Sequence, residues 1–468
     1  MTRQRAFLLP LLFVCLGCQG AEKYAVDWQK TAPEILEKYS ALIRLDTSNP
    51  PGNESKAAAY LKSVLEGEGF ETQSFALDPA RANLVARLKG NGRKRPLLLM
   101  GHTDVVGVQR NKWTVDPFSA VRKDGYVYGR GAIDDKDKVT ACLMVMLLLK
   151  RMKIALDRDV IFLAEAGEES TTSVGIDFMV SQHWNEIEAE YALTEGGGGV
   201  SRDGKPRYVT ISTTEKVPRR VKLVAHGEAG HGSVPRPDNA VSHLAMAVAK
   251  IAAWQPPMRL NDTTRTYFER LAAISAPDEA ARYNHVAEPA NTAGIQSYFA
   301  AHELTHSSIL RTSIVPTMMN AGFRENVIPS EAEATLDIRA LPDEDMPKFI
   351  AEMKRVIGDD SIEIIPAKGG RPAGRPSSLD SEMFRALENT QKKMYPGAIT
   401  LPWMMTGATD MAQLRAKGVQ AYGFGPMIDE KDLVANGAHS DDERLQESAL
   451  YREVEFLWNA VLEVAAGK

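Results

Sequence analysis

Cysteine is scarce in this chain: 468 residues carry only Cys15, Cys18 and Cys142. So few thiols exclude a disulfide framework. No apolar run reaches the roughly 18 residues that a membrane-spanning helix needs. The longest, around Val139 to Met152, reads as a buried helix, and Cys142 within it reads as a small core residue. An excess of positive charge is also missing. Lys and Arg total 56 against 61 Asp and Glu, a net charge of -5, which argues against a nucleic-acid partner. The densest basic stretch, Arg93-Lys94-Arg95, sits in a Gly-rich turn and reads as a solvated loop. Internal repeats and low-complexity tracts are absent. The composition is that of an ordinary globular protein, 44% hydrophobic and 25% charged, and the length suggests two or more domains.

The N-terminus has the layout of a secretory signal. Arg3 and Arg5 precede an apolar stretch from Ala6 to Leu16, and Gly17 and Cys18 follow. Gly17-Cys18 resembles a bacterial lipoprotein processing site, although Cys15 stands where such sites usually have Leu. The expectation is an exported protein of the cell envelope. The leader spans 1–18; cleavage before Cys18 would remove Cys15 and leave Cys18 to carry the lipid as the only membrane attachment.

Downstream, apolar strands alternate with helices. Leu97 to Met100 and Val160 to Ala164 are apolar throughout, as expected of strands buried on both faces. This predicts an α/β fold with a mostly parallel sheet flanked by helices. The character changes near Val217. Arg219 to Ala225 and Ala332 to Arg339 alternate as half-exposed strands, and Ala240 to Trp254 and Met346 to Val356 are spaced as helices. They suggest an inserted α+β open-faced sandwich over 218–366. It would lie between catalytic segments 30–217 and 367–468. Residues 256–320 show no clear periodicity, and Gly196 to Gly199 read as a local loop.

The chemistry lies at the strand ends. His102 and Asp104 follow the first apolar strand, two apart and so on one face of an extended segment. His102 can bind a metal through one ring nitrogen while Asp104 accepts from the other. Asp134-Asp135 follows a Gly-rich turn and precedes a helix. A carboxylate there can bridge two cations, and Asp135 can equally serve as a helix cap. Glu168-Glu169 follows the second apolar strand. One acid can ligate while its neighbour takes a proton from water. Glu195 and His439 complete the set. Each is ordinary alone: paired acids usually end in solvent, and a lone loop His is more often a surface residue. Two imidazoles and several carboxylates together at strand ends point to two hard-to-borderline divalent cations, a donor set suited to hydrolysis.

Five stretches carry a family resemblance: Gly101 to Val106, Trp113 to Asp135, Glu165 to Glu169, Gly230 to Pro235 and Asn326 to Arg339. With them the chain resembles, from about residue 40 to its end, the co-catalytic zinc peptidase and aminoacylase family. That family includes glutamate carboxypeptidase, succinyl-diaminopimelate desuccinylase, carboxypeptidase S and aminoacylase. The resemblance implies two Zn2+, with Co2+ or Mn2+ as substitutes. His102, Asp134 and Glu195 would hold one ion. Asp134, Glu169 and His439 would hold the other. It implies Glu168 as general base, Asp104 as an orienting acid and a cis bond between Asp134 and Asp135. It places His231 on the oxyanion, from a partner subunit of a homodimer, and makes Asn326 and Arg339 substrate-facing. The implied substrate is a peptide near its free C-terminus or a dipeptide; the alternative is an N-acyl amino acid. Ala412 and Gly107 depart from the family pattern, where many relatives have Arg and Pro.

Overall fold

The computed structural model describes residues 24–467. The expected leader, with Cys15 and Cys18, lies outside them. Among the described residues no helix is long and apolar enough to cross a membrane.

The first half of the chain supplies helices α1 (Trp28–Ile43), α2 (Ser55–Gly67), α3 (Lys136–Arg151) and α4 (Ile176–Gln182). Its strands are β1 (Thr72–Phe75), β2 (Asn83–Leu88), β3 (Leu97–His102), β4 (Val160–Glu165), β5 (Tyr191–Thr194), β6 (Gly198–Arg202) and β7 (Lys205–Glu215). Then come β8 (Val217–His226), β9 (Gly230–His231), the helices α5 (Ala240–Ala253), α6 (Asp262–Ala272), α7 (Pro277–Asn284), α8 (Pro289–His302) and α9 (Leu304–Ile309), and the strands β10 (Ser313–Ala321), β11 (Val327–Ile328) and β12 (Glu331–Ala340). The chain closes with α10 (Met346–Ile357), β13 (Ile362–Pro366), α11 (Glu382–Met394), β14 (Ile399–Met405), α12 (Met411–Ala416), β15 (Gln420–Gly423), β16 (Met427–Asp429) and α13 (Glu447–Ala465).

Ten strands form the main sheet, in the order β1-β2-β4-β3-β5-β15-β7-β6-β16, with β14 joined to β7. Its centre, β4-β3-β5-β15, is parallel, and antiparallel pairs flank it. The two-residue period of a strand sorts its side chains between two cores. Leu97, Leu99 and Phe162 pack with α1, α3, α11 and α13 on one face. Leu98, Met100, Ile161 and Leu163 pack with α4 and α12 on the other. Both faces are therefore covered, which explains the uninterrupted apolar runs of β3 and β4. Cys142 lies fully buried in the first core.

A second, four-stranded antiparallel sheet has the order β10-β12-β8-β13. Val221, Leu223, Leu336 and Ile338 turn to one face and pack on α5 and α10. Lys222 and Glu333 pair on the open face. This is the open-faced sandwich expected from the alternating sequence, and it is called the lid below.

Two readings change. Residues 262–309, left without periodicity by the sequence, form the four helices α6 to α9. Their core of Tyr267, Phe268, Phe299 and Leu310 is shared with Leu401 and Met404 of β14, so this stretch packs against the main sheet. The expected Gly196–Gly199 loop is shorter, because Gly198 and Gly199 already pair with Thr210 and Val209. At its other end β6 folds back on β7 through Asp203 and Gly204, at φ +51 and +73.

Beneath the strand ends, Lys138 of α3 is fully buried, ion-paired to Glu453 of α13 and 3.3 Å from the Phe424 ring centroid. Removing one partner leaves the other buried and unmatched. Glu453→Leu alone and Lys138→Met alone should each destabilise the protein by about 3–5 kcal/mol. The double variant should recover most of that loss, as read by urea unfolding.

Candidate metal centre

Three parallel strands deliver the site. β3 ends on His102, β4 on Glu165 and β5 just before Glu195, so their carboxyl ends open into one crevice, where α/β sheets commonly bind ligands. Close backbone approach makes this possible. A Cβ on Gly101 would lie 2.8 Å from Asp135 Oδ2, and Gly167, at φ +84, turns the chain between β4 and Glu168. Asp134 and Asp135 are joined by a cis peptide bond.

The His102 Nε2 atom lies 2.9 Å from Asp134 Oδ1. The other Asp134 oxygen, Oδ2, lies 3.1 Å from His439 Nε2, which is itself 3.0 Å from Glu169 Oε1. Two groups of converging donor atoms result: His102, Asp134 and Glu195, and Asp134, Glu169 and His439. Asp134 belongs to both. Donors about 3 Å apart match the spacing left around one ion by zinc bonds of roughly 2.0–2.2 Å. His439 reaches its place with φ +66. A side chain held in that left-handed region costs on the order of 1–3 kcal/mol, a cost met when surrounding contacts fix the conformation.

The electrostatics demand cations. Burial raises the Glu195 carboxyl well above its ordinary range, and the Glu168 and Asp134 charges add to the shift. Burial likewise pushes Glu168 up to about 8; Arg371 opposes the shift and Asp410 reinforces it. The Asp134 carboxyl resists its burial and falls below the usual range because His102 and His439 bond to it. His439 rises to about 10 through its bonds to Asp134 and Glu169. Burial thus works against charge on Glu168 and Glu195 while Asp134 draws on the two imidazoles, and a bound dication would invert this balance. The donor set of imidazoles and carboxylates fits two such ions.

Asp104 faces the His102 ring and also clamps the loop after β4. His102 Nδ1 bonds to the main-chain oxygen of Asp104 at 3.0 Å, while the carboxylate Oδ1 is 3.6 Å away. That carboxylate is occupied elsewhere. Oδ1 accepts from the N–H groups of Gly167 (2.9 Å) and Glu168 (3.2 Å). Oδ2 accepts from Glu169 N–H (3.2 Å) and the Asn49 amide (2.8 Å). Asp135 makes no cap bond with its side chain, and its Oδ2 accepts from His102 N–H at 3.2 Å.

Other expected residues stand apart. His231 and Val327 pair across the small β9–β11 ribbon of the lid, and Asn326 sits beside them, its carbonyl accepting from Gly232 N–H. The exposed His231 ring bonds to Ser233 and makes no bond to the carboxylate cluster. Arg339 lies at the β12 end next to Ala340, its Nε shared by both Asp337 oxygens at 3.1 Å. Two residues in the site escaped the sequence reading. Asn49 has only its place in a Pro-rich break as a signal. Arg371 lies after Gly369-Gly370 in the segment leading back from the lid, and its Nη2 is 2.6 Å from Glu168 Oε1.

The family model described as Peptidase family M20/M25/M40 matches residues 98–463. The chain is 30% identical over 397 residues to a probable carboxypeptidase S-like 2 of Dictyostelium discoideum, covering 82% of this chain and 74% of that protein. It is 27% identical over 379 residues to an N-fatty-acyl-amino acid synthase/hydrolase of Homo sapiens, covering 78% and 74%. In fold it resembles an M20 family metallo-carboxypeptidase of Sulfolobus solfataricus, with a TM-score of 0.65 at 20% identity over 94% of this chain and 99% of the other. The family match spans most of the chain and takes in every converging ligand from His102 to His439, so this protein belongs to the M20/M25/M40 peptidase family.

Proposed function

We propose that the protein is a dizinc hydrolase of amide bonds, acting on peptides with a free C-terminus or on dipeptides. The observation that carries this reading is the bridging geometry of Asp134, with Glu168 next to ligand Glu169. When bound, the two cations acidify a water and polarise the scissile carbonyl. Glu168 accepts the proton of that water as it attacks and returns it to the leaving nitrogen. Asp104 holds Glu168 and Glu169 in register through their backbone N–H groups. His231 supplies a donor for the oxyanion, brought in by lid closure or from a second subunit. Arg339 has guanidinium nitrogens beyond the Nε that Asp337 engages, which suits a substrate carboxylate.

A second reading, removal of an acyl group from an N-acyl amino acid, draws support from the human relative that acts on N-fatty-acyl amino acids. The bond broken is the same amide, and the pocket alone separates the two substrates.

The lid also supports a homodimer. Along the edge strand β10, Val315, Met318 and Met319 are 53%, 70% and 53% exposed, and Met246 of the adjoining α5 is 52% exposed. Clustered apolar surface of this kind marks an association site.

Zinc-loaded protein should release amino acids from C-terminally free peptides and lose that activity on chelation. Turnover of N-acyl amino acids alone would move the assignment to deacylation, and no turnover on either set would sink both readings. Two zinc ions per chain are expected by elemental analysis, with Glu195→Ala reducing the count to one. Glu168→Gln should keep both ions and lose about 10²–10⁴-fold in kcat. In sedimentation, the wild type should dimerise and the Met318→Asp/Met319→Asp variant should remain monomeric.

A further inference from the structure

Besides the linkers into α6 and out of α9, two crossings join the lid to the main sheet. The first is Lys216, between β7 and β8, and the second runs from β13 through residues 367–376. The second crossing turns at Gly369 and Gly370, with φ +78 and +109, and then presents Arg371. The Arg371 carbonyl accepts from Arg219 Nη1 at 2.8 Å, and Arg219 lies near the start of lid strand β8. The backbone of Arg371 is thereby tied to the lid. Its side chain goes the other way. Nη2 lies 2.6 Å from Glu168 Oε1 and 3.3 Å from the Glu168 carbonyl oxygen, and Nη1 ion-pairs with Asp410. The guanidinium is 13% exposed, and the Asp410 side chain is 3% exposed.

We infer that Arg371 is a positioning residue for Glu168, carried on the crossing between lid and sheet. The inference rests on the assignment of Glu168 as the base. A Glu side chain set among Asp134, Glu195 and Asp410 is repelled from the place it must occupy. The fork of Arg371 opposes that repulsion. It binds one oxygen of Glu168, and among the described residues no hydrogen-bond donor is seen at Oε2. A guanidinium suits this task because it holds a carboxylate without ever competing for the proton in transit. Lysine is no substitute, since a single ammonium lacks the rigid fork that spans Glu168 and Asp410 together. Because Arg219 holds the Arg371 backbone, the aim of the base also depends on how the lid is seated.

The test compares zinc-loaded, full-length Arg371→Ala, Arg371→Lys and Glu168→Gln on the substrate that the wild type turns over. Arg371→Ala should keep two zinc ions and a KM close to wild type while kcat falls about 10²-fold, the lower range for a misplaced general base. Added methylguanidinium should restore kcat saturably in Arg371→Ala and have no effect in Glu168→Gln. Arg371→Lys should stay about tenfold or more below wild type. A crystal structure of Arg371→Ala should show the Glu168 carboxylate displaced. Near-wild-type kcat in either Arg371 variant overturns the inference. So does a rise in KM at unchanged kcat, failed rescue of folded, zinc-loaded Arg371→Ala, or an unmoved Glu168. If Arg371→Ala does not fold, the kcat and zinc content of Arg371→Lys decide. An active Glu168→Gln enzyme would instead refute the base assignment, whatever Arg371 does.

Discussion

The buried carboxylate of Asp104 holds the site together. It is fully shielded from solvent, a costly place for a charge unless hydrogen bonds replace the lost water. Three consecutive N–H groups, from Gly167, Glu168 and Glu169, and the Asn49 amide supply those bonds. Burial alone would raise this acid; the His102 ring and these donors outweigh burial and bring it below its ordinary range. The consequence is geometric. The loop leaving β4 is clamped to the loop leaving β3, which sets Glu168 and Glu169 in place relative to His102. Substituting Asn would exchange one of the acceptor oxygens for a donor, facing N–H groups that need an acceptor.

Above that anchor the site is a problem of charge balance. Glu165, whose carboxyl is driven up by burial and by Asp410, sits beside the cluster of Asp134, Glu168, Glu169 and Glu195. Arg371 and the two imidazoles offset part of this charge, and two dications are the natural complement to the rest. A second balance lies below. The Asp135 and Asp137 carboxyls are both driven up by burial, and Lys138, paired with Glu453, limits the repulsion there. The helix that carries Asp134 at its head is thus fixed from beneath, independently of the metal ligands.

The sequence made the central strands legible because burial on both faces leaves an unbroken apolar run, as in Leu97 to Met100. His102, Glu168-Glu169 and Glu195 were visible because each closely follows such a run, whereas Asp134 follows a Gly-rich turn and His439 sits in a polar loop. For Asp104, spacing shows that its side chain shares a face with His102, but not that backbone N–H groups also bind the carboxylate. Arg371 left no periodic trace, since it sits in an irregular crossing and meets Glu168 only through the fold. Helix α8 has just Ile295 and Phe299 buried, so its sequence carries almost no stripe. Its place depends on aromatic partners far along the chain, among them Phe268 stacked on Phe299 at 5.9 Å.

The helices α6 to α9 belong with the main sheet. In sequence they lie between lid strands, yet Arg270 of α6 bonds to the Thr400 carbonyl of β14 at 2.9 Å and to Glu388 of α11 at 2.6 Å. Their aromatic core is shared with β14, whose end leads to Thr409 and Asp410. They therefore pack on the main-sheet side, while His231 and Asn326 lie at the lid ribbon. The converging donors at the main-sheet strand ends and the ribbon residues of the lid are placed by different cores, and Arg371, bonded to Arg219 on one side and Glu168 on the other, is where the two meet.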